Sequence, residues 1–159
     1  MNIDFAAIAD AATVDGGGKL NILGIFDRIR VREFPARHRR LALVLRLAAG
    51  PEDQGEFAAD IRLIDPDGGQ VLRLDGTIRV GEAPKGAVNP ETRIPHVLNL
   101  DGVTFPKAGV YNFEIRLDEE LLQVMPLTVE PMPAPSGQSR TTGPEGVPIF
   151  FAPDGPAQA

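Results

Sequence analysis

Apolar and polar side chains alternate along most of the chain, and this alternation constrains its fold more than any other feature of the sequence. In the segment GVYNFEIRL, Tyr111, Phe113, Ile115 and Leu117 share one parity, and mostly polar residues stand between them. The segments 41–47 and 57–63 repeat the pattern. Because successive side chains of a strand leave opposite faces, these segments are predicted to be β-strands with one buried face.

Strand patterns separated by turn residues cover most of residues 1–130. Further strands are predicted near 20–32, 70–80, 93–101 and 121–129. The alanines of Ile3–Val14 would suit a helix, but the alternation there and the glycine loop that follows favour a strand. Eight or nine short strands without a convincing helix predict a single antiparallel, immunoglobulin-like β-sandwich over residues 1–130.

Two positions add detail to this prediction. The apolar parity within 20–32 changes near Gly24, which predicts a β-bulge at that residue. Tyr111 follows Pro106 and Gly109 at the start of a strand, and a tyrosine at such a corner often bonds back to nearby backbone. Tyr111 is therefore expected to have a structural role.

Several of these segments also carry a resemblance. Four segments carry this resemblance: GGKLNILGIFDRI, FPARHRRLALVLRL, DPDG and FPKAGVYNFEIRLDEELLQVMPLTV. Through them the chain resembles a family of small uncharacterised bacterial proteins with an immunoglobulin-like β-sandwich. The resemblance covers roughly residues 1–130. Its motifs belong to strands and turns, so it implies the fold rather than the function, and it implies no catalytic residue.

The composition changes after Val129. Residues 130–159 hold seven of the 15 prolines and both serines, which predicts a flexible tail over residues 131–159. The tail contains one apolar island, Val147–Phe151. We expect Ile149, Phe150 and Phe151 either to dock on an open sheet edge or in a groove, or to be an incidental apolar stretch in a floppy tail.

The stretch VDGGGKL superficially matches a phosphate-binding loop. That motif requires Ser or Thr after its lysine and a helix beyond, but Leu20 follows Lys19 and a strand pattern comes next. The first glycine of the motif is also missing, because Thr13 stands at its position. Asp15–Lys19 is therefore predicted to be an exposed hairpin turn without a ligand.

Composition excludes or disfavours several functional classes. The absence of cysteine excludes a disulfide framework, thiolate catalysis and a thiolate zinc site. The first residues lack the basic region of a signal peptide, and no apolar run is long enough to span a membrane. With a formal net charge of −6, the sequence predicts a cytoplasmic protein whose partners are neither nucleic acid nor membrane.

No arrangement of residues predicts catalysis, a cofactor or a metal. Both serines fall in the tail, His38 lies among arginines, and His96 alternates with apolar residues on a strand. The acidic residues of 65–67 and 118–120 fall at turns and are expected to be solvated, although a weak metal site built from separate loops stays open. Sugar binding is disfavoured because the chain has no tryptophan and a single tyrosine.

One segment is strongly basic. Residues 28–46 hold seven arginines and a single acid, Glu33. This segment is expected to be either a solvated face paired with the chain's own acids or a docking surface for an acidic partner. We therefore predict a non-enzymatic protein-interaction or accessory module, with a small-ligand or carbohydrate-binding β-sandwich as the alternative and a hydrolase with a hidden carboxylate site as a third possibility. The predicted partner-binding residues are Arg28, Arg30, Arg32, Arg37, Arg39, Arg40, Ile149, Phe150 and Phe151.

Overall fold

The computed structural model describes residues 1–82, 86, 88–89 and 91–133. These residues form nine β-strands and no helix. The strands are β1 (Asn2–Val14), β2 (Leu20–Ile25), β3 (Arg28–Val31), β4 (Ala36–Ala49), β5 (Gly55–Ile64), β6 (Gln70–Val80), β7 (Thr92–Phe105), β8 (Gly109–Leu117) and β9 (Glu120–Pro131). The prediction of an all-β fold is confirmed for these described residues, including the strand in the alanine-rich first segment.

The strands form two sheets. The first sheet has the order β2-β1-β4-β7 and is antiparallel throughout. The second sheet has the order β3-β9-β8-β5-β6 and is mixed, because β3 runs parallel to β9. The prediction of a wholly antiparallel sandwich is wrong for the second sheet. The chain enters β3 by crossing over from the first sheet, so no hairpin constrains β3 to oppose β9.

The crossover lies between Ile25 and Arg28. A single strand near 20–32 with a bulge at Gly24 was predicted, and this is wrong, because β2 and β3 belong to different sheets. Gly24 has a φ of 68°, which glycine adopts without a steric penalty, and the carboxylate of Asp10 lies where a Cβ would stand. The N–H of Phe26 donates to the carbonyl of Ile8 at 2.9 Å and holds the crossover against β1.

The inner faces of the two sheets share one core. The alternating residues of β8 are buried as predicted, and they pack with inward leucines of β4 and with Phe105. Tyr111 is fully buried, and its hydroxyl donates to the carbonyl of Lys107 at 2.8 Å. Its ring meets the edge of Phe105 at 5.0 Å between centroids. The predicted structural role of Tyr111 is confirmed.

Strand β4 is buried on both faces. Leu41, Leu43 and Leu45 lie in the main core, while Ala42 and Val44 belong to a second cluster on the opposite face. The other members of that second cluster are Phe5, Ala12, Leu20, Ile22 and Val97. Because four of these residues come from β1 and β2, the hairpin helps to cover the outer face of the first sheet.

The predicted turn at Asp15–Lys19 is confirmed. These residues are exposed and connect β1 to β2. The N–H of Gly18 donates to the carbonyl of Asp15 at 3.0 Å, and the Asp15 carboxylate accepts from the N–H groups of Gly17 and Lys19. These three N–H groups, which a bound phosphate would need as donors, therefore donate to Asp15 instead.

Candidate functional site

The crossover creates a cleft between the two sheets. It is lined by the end of β2, by β3 and by the start of β4, and its volume is about 480 Å³. We call it the basic cleft. Its charged and aromatic lining residues are Asp10, Phe26, Arg28, Arg30, Arg37 and His38.

Arg28 and Arg30 reach the basic cleft because of the alternation within β3. Ile29, which stands between them, is buried in the core, so the two arginines leave the opposite face. The parallel register of β3 and β9 places Arg30 beside Glu130. One carboxylate oxygen of Glu130 accepts from Arg30 Nε at 2.9 Å and from Arg28 Nη1 at 3.4 Å. These guanidinium groups lower the pKa of Glu130.

Arg37 and His38 enter the cleft from the start of β4. The guanidinium of Arg37 lies against Gly102, where a Cβ would stand 2.6 Å from Arg37 Nη2. Gly102 has a φ of 69°, so both its backbone conformation and its missing side chain favour glycine. The ring of His38 packs on Phe26 at 5.9 Å between centroids. Within the described part of the chain, Arg37 forms no ion pair.

The other predicted partner-binding arginines lie outside the cleft. Arg40 pairs with Asp101 across β4 and β7, with Arg40 Nε 2.6 Å from the carboxylate. Arg32 and Arg39 are exposed and form no ion pair with any residue between 1 and 133 that the structure describes. The structure therefore brings together three of the six predicted arginines. Ile149, Phe150 and Phe151 lie outside the described residues, as does the tail from residue 134 onward.

Sequence patterns did not identify Asp10, Phe26 and Glu130 as part of this site. Asp10 and Glu130 are far from the arginine segment in sequence, and only the β1–β2 hairpin and the β3–β9 pairing bring them to it. Phe26 was assigned to a single long strand, whereas it lies on the crossover. The periodicity of apolar residues along the sequence does not show which distant strands pair.

The acidic residues at turns have local partners. The Asp65 carboxylate accepts from the N–H groups of Asp67 and Gly69, at 2.8 and 2.7 Å, and stabilises the β5–β6 turn. Asp118 ends β8 in a tight turn and accepts from the N–H of Ala58 at 2.8 Å. The prediction that these acids lie at turns is confirmed. No three histidine or acidic residues among those described are placed to hold a metal ion.

The remaining candidates offer little chemistry. Ser136 and Ser139 lie outside the described residues. Tyr111, the single tyrosine, is buried and cannot stack on a sugar. None of the described residues belongs to a helix that is long and apolar enough to cross a membrane.

These observations define an all-β protein of two sheets with an arginine-lined cleft at the crossover between them. Residues 4–130 match a family of unknown function, DUF6941, and the chain belongs to that family. The match covers nearly the same residues as the expected resemblance to an uncharacterised family. A search among curated proteins found no match.

Proposed function

We propose that the protein is a non-enzymatic, cytoplasmic interaction module, an immunoglobulin-like β-sandwich whose basic cleft binds an extended acidic segment of a partner protein. The observation that carries this proposal is the convergence of Arg28, Arg30 and Arg37 in one cleft of a chain with a net charge of −6. The buried tyrosine at the start of β8 supports the immunoglobulin-like assignment, and the lack of cysteine suits a reducing compartment.

The cleft has more positive charge than its own acids neutralise. Glu130 accepts from both Arg28 and Arg30, and among the described residues that line the cleft, Asp10 is the one acid. A guanidinium group binds a carboxylate through two parallel N–H donors and stays ionised at any physiological pH. Arg37, which has no ion-pair partner among the described residues, is the arginine best placed to bind a partner's carboxylate.

The adjoining strand favours an extended ligand. β3 is one of the two edge strands of the second sheet and pairs on one side, with β9. An extended peptide can add to such an edge through main-chain hydrogen bonds. Arg28 and Arg30 are two residues apart, so carboxylates at every second position of an extended partner would match their spacing of about 6.6 Å.

The proposal predicts binding to a fluorescein-labelled peptide of alternating glutamate and threonine, measured by fluorescence anisotropy. We expect saturable binding that weakens several-fold as salt rises from about 0.05 to 0.3 M. The double substitution Arg30→Glu with Arg37→Glu should lower the affinity by about tenfold or more, because it replaces attraction by repulsion at the cleft.

The matched control is Arg73→Glu with Arg79→Glu, which changes the net charge equally but on β6 of the second sheet. This variant should retain most of the binding. An equal loss in both variants, or equally tight binding of a lysine–threonine peptide, would contradict the proposal. Self-association that disappears only in the cleft variant would identify a second copy of the chain as the acidic partner.

A further inference from the structure

A second site, unrelated to the basic cleft, lies between the two sheets. β7 is an edge strand of the first sheet, and β6 is an edge strand of the second sheet. Between them is a cavity of about 230 Å³, which we call the interlayer cavity. Apolar side chains from both sheets line it, including Leu45, Leu47, Ile61, Leu74, Leu98 and Ile115.

The cavity exists because two facing positions have almost no side chain. Ala59 of β5 and Gly76 of β6 are register partners, and they share parity with Ile61 and Leu74, which line the cavity. A Cβ built on Gly76 would meet nothing within 4 Å. Leucine or isoleucine at either position would fill this space, so the sequence itself leaves the layer underpacked at this point.

One polar group is buried beside this apolar space. His96 of β7 lies opposite Leu45 of β4 and lines the cavity. Its Nε2 atom is buried and has no hydrogen-bond partner among the described residues. Burial also lowers the pKa of His96, so its imidazole is neutral at neutral pH. An unpaired polar atom in an apolar site favours a ligand that supplies the missing hydrogen bond.

We propose that the interlayer cavity is a binding site for a small, uncharged, apolar molecule that carries a single hydroxyl or carbonyl group. The apolar body of the ligand occupies the space beside Ala59 and Gly76. The imidazole of His96, whose Nε2 is covered in this structure, turns toward the cavity and hydrogen-bonds to the polar group of the ligand. The lining excludes a strongly charged ligand, because Asp75, at the rim on β6, is the one other ionisable residue among those that line the cavity.

The test uses the full chain and two ligands of nearly equal size, p-cresol and p-xylene. N-Phenyl-1-naphthylamine, a neutral fluorescent probe, should bind with increased fluorescence and be displaced by both compounds. We expect p-cresol to compete about threefold to tenfold more strongly, because its hydroxyl gains the hydrogen bond that the methyl group of p-xylene cannot make. In His96→Leu the two compounds should compete equally.

Gly76→Leu tests the location of the site without opening the core. The new side chain enters empty space at a strand position and should abolish probe binding while leaving the circular dichroism spectrum unchanged. Arg79→Leu adds the same side chain at an exposed position of the same strand and should leave probe binding unchanged. Leu23→Ala, at an exposed apolar residue of β2 outside both the cavity and the basic cleft, controls for binding to the surface.

Three results would overturn the proposal. The first is an absence of saturable probe binding. The second is binding that persists in Gly76→Leu or is lost in Leu23→Ala, because the probe would then occupy another surface. The third is equal competition by p-cresol and p-xylene in the unmodified protein. None of these measurements depends on the acidic-peptide binding proposed for the basic cleft.

Discussion

His96 couples the stability of the fold to pH through a single side chain. Burial lowers the pKa of its imidazole below the usual value of about 6.5. The unfolded chain therefore takes up a proton at a higher pH than the folded protein does. The contribution of neutral His96 is fully present above about pH 6.5 and is lost as pH falls through the lower pKa of the folded state.

This linkage predicts the behaviour of His96→Gln, which keeps a polar side chain but does not titrate. The melting temperature of the unmodified protein should fall between about pH 7.5 and 5.5. The decrease should be smaller in His96→Gln, as measured by thermal unfolding followed by circular dichroism. His38→Gln controls for the loss of a histidine as such. Equal pH dependence of the unmodified protein and His96→Gln would contradict the prediction.

The paired carboxylates act in a different range of pH. Hydrogen bonds from arginine side chains lower the pKa values of Asp4, Asp60, Asp101 and Glu130. Their contributions are present above the usual carboxyl pKa of about 4 and are lost as pH falls through the lower folded-state values. They therefore do not obscure the effect of His96, which occurs at higher pH.

At the scale of the strands, the alternation of apolar and polar residues correctly predicts which residues are buried wherever only one face of a strand is covered. The residues of β8 follow the predicted pattern without exception. Strand β4 does not, because its outer face is covered by the β1–β2 hairpin and by Val97, which buries Ala42 and Val44. Parity identifies which residues share a face, but it does not show whether another element covers the second face.

Leu43 and Leu23 show the consequence of this difference between strands. Leu43 is fully buried in β4, whereas Leu23 of the edge strand β2 is 71% exposed. Leu43→Ala should lower the free energy of unfolding by about 2–5 kcal/mol, since it removes packed atoms and leaves a cavity. Leu23→Ala should change it by less than about 0.5 kcal/mol. Urea unfolding followed by circular dichroism measures both, and effects of similar size would show that β2 is more deeply packed than its exposure indicates.

At the scale of the whole molecule, the basic cleft depends on contacts that no local sequence pattern predicts. Arg30 and Glu130 are 100 residues apart and meet because β3 lies parallel to β9. The sequence predicts a basic segment, but it does not show which of its arginines line the cleft. The path of the crossover places Arg28, Arg30 and Arg37 inside the cleft. It leaves Arg32, Arg39 and Arg40 outside it. The expectation of one long strand hid that crossover.

The pairing of β3 with β9 also sets where the fold ends. Arg28–Val31 is in register with Thr128–Pro131, and the N–H of Met132 donates to the carbonyl of Val31 at 2.7 Å. Val129 is buried in the core. The folded unit should therefore need the chain up to about residue 132, and it should not need the residues beyond.

Two truncations test this boundary. The chain 1–133 keeps every described contact of β9 and should melt cooperatively within about 2 °C of the full chain, since no packed residue of the two sheets is removed. The chain 1–127 loses Val129, whose burial is worth roughly 1.5–3 kcal/mol, together with the whole hydrogen-bonded neighbour of β3. It should lose about 10 °C or more, or fail to fold. Hydrogen exchange should show β3 amides protected in 1–133. A broad, non-cooperative transition of 1–133 would instead show that residues 134–159 belong to the folded unit.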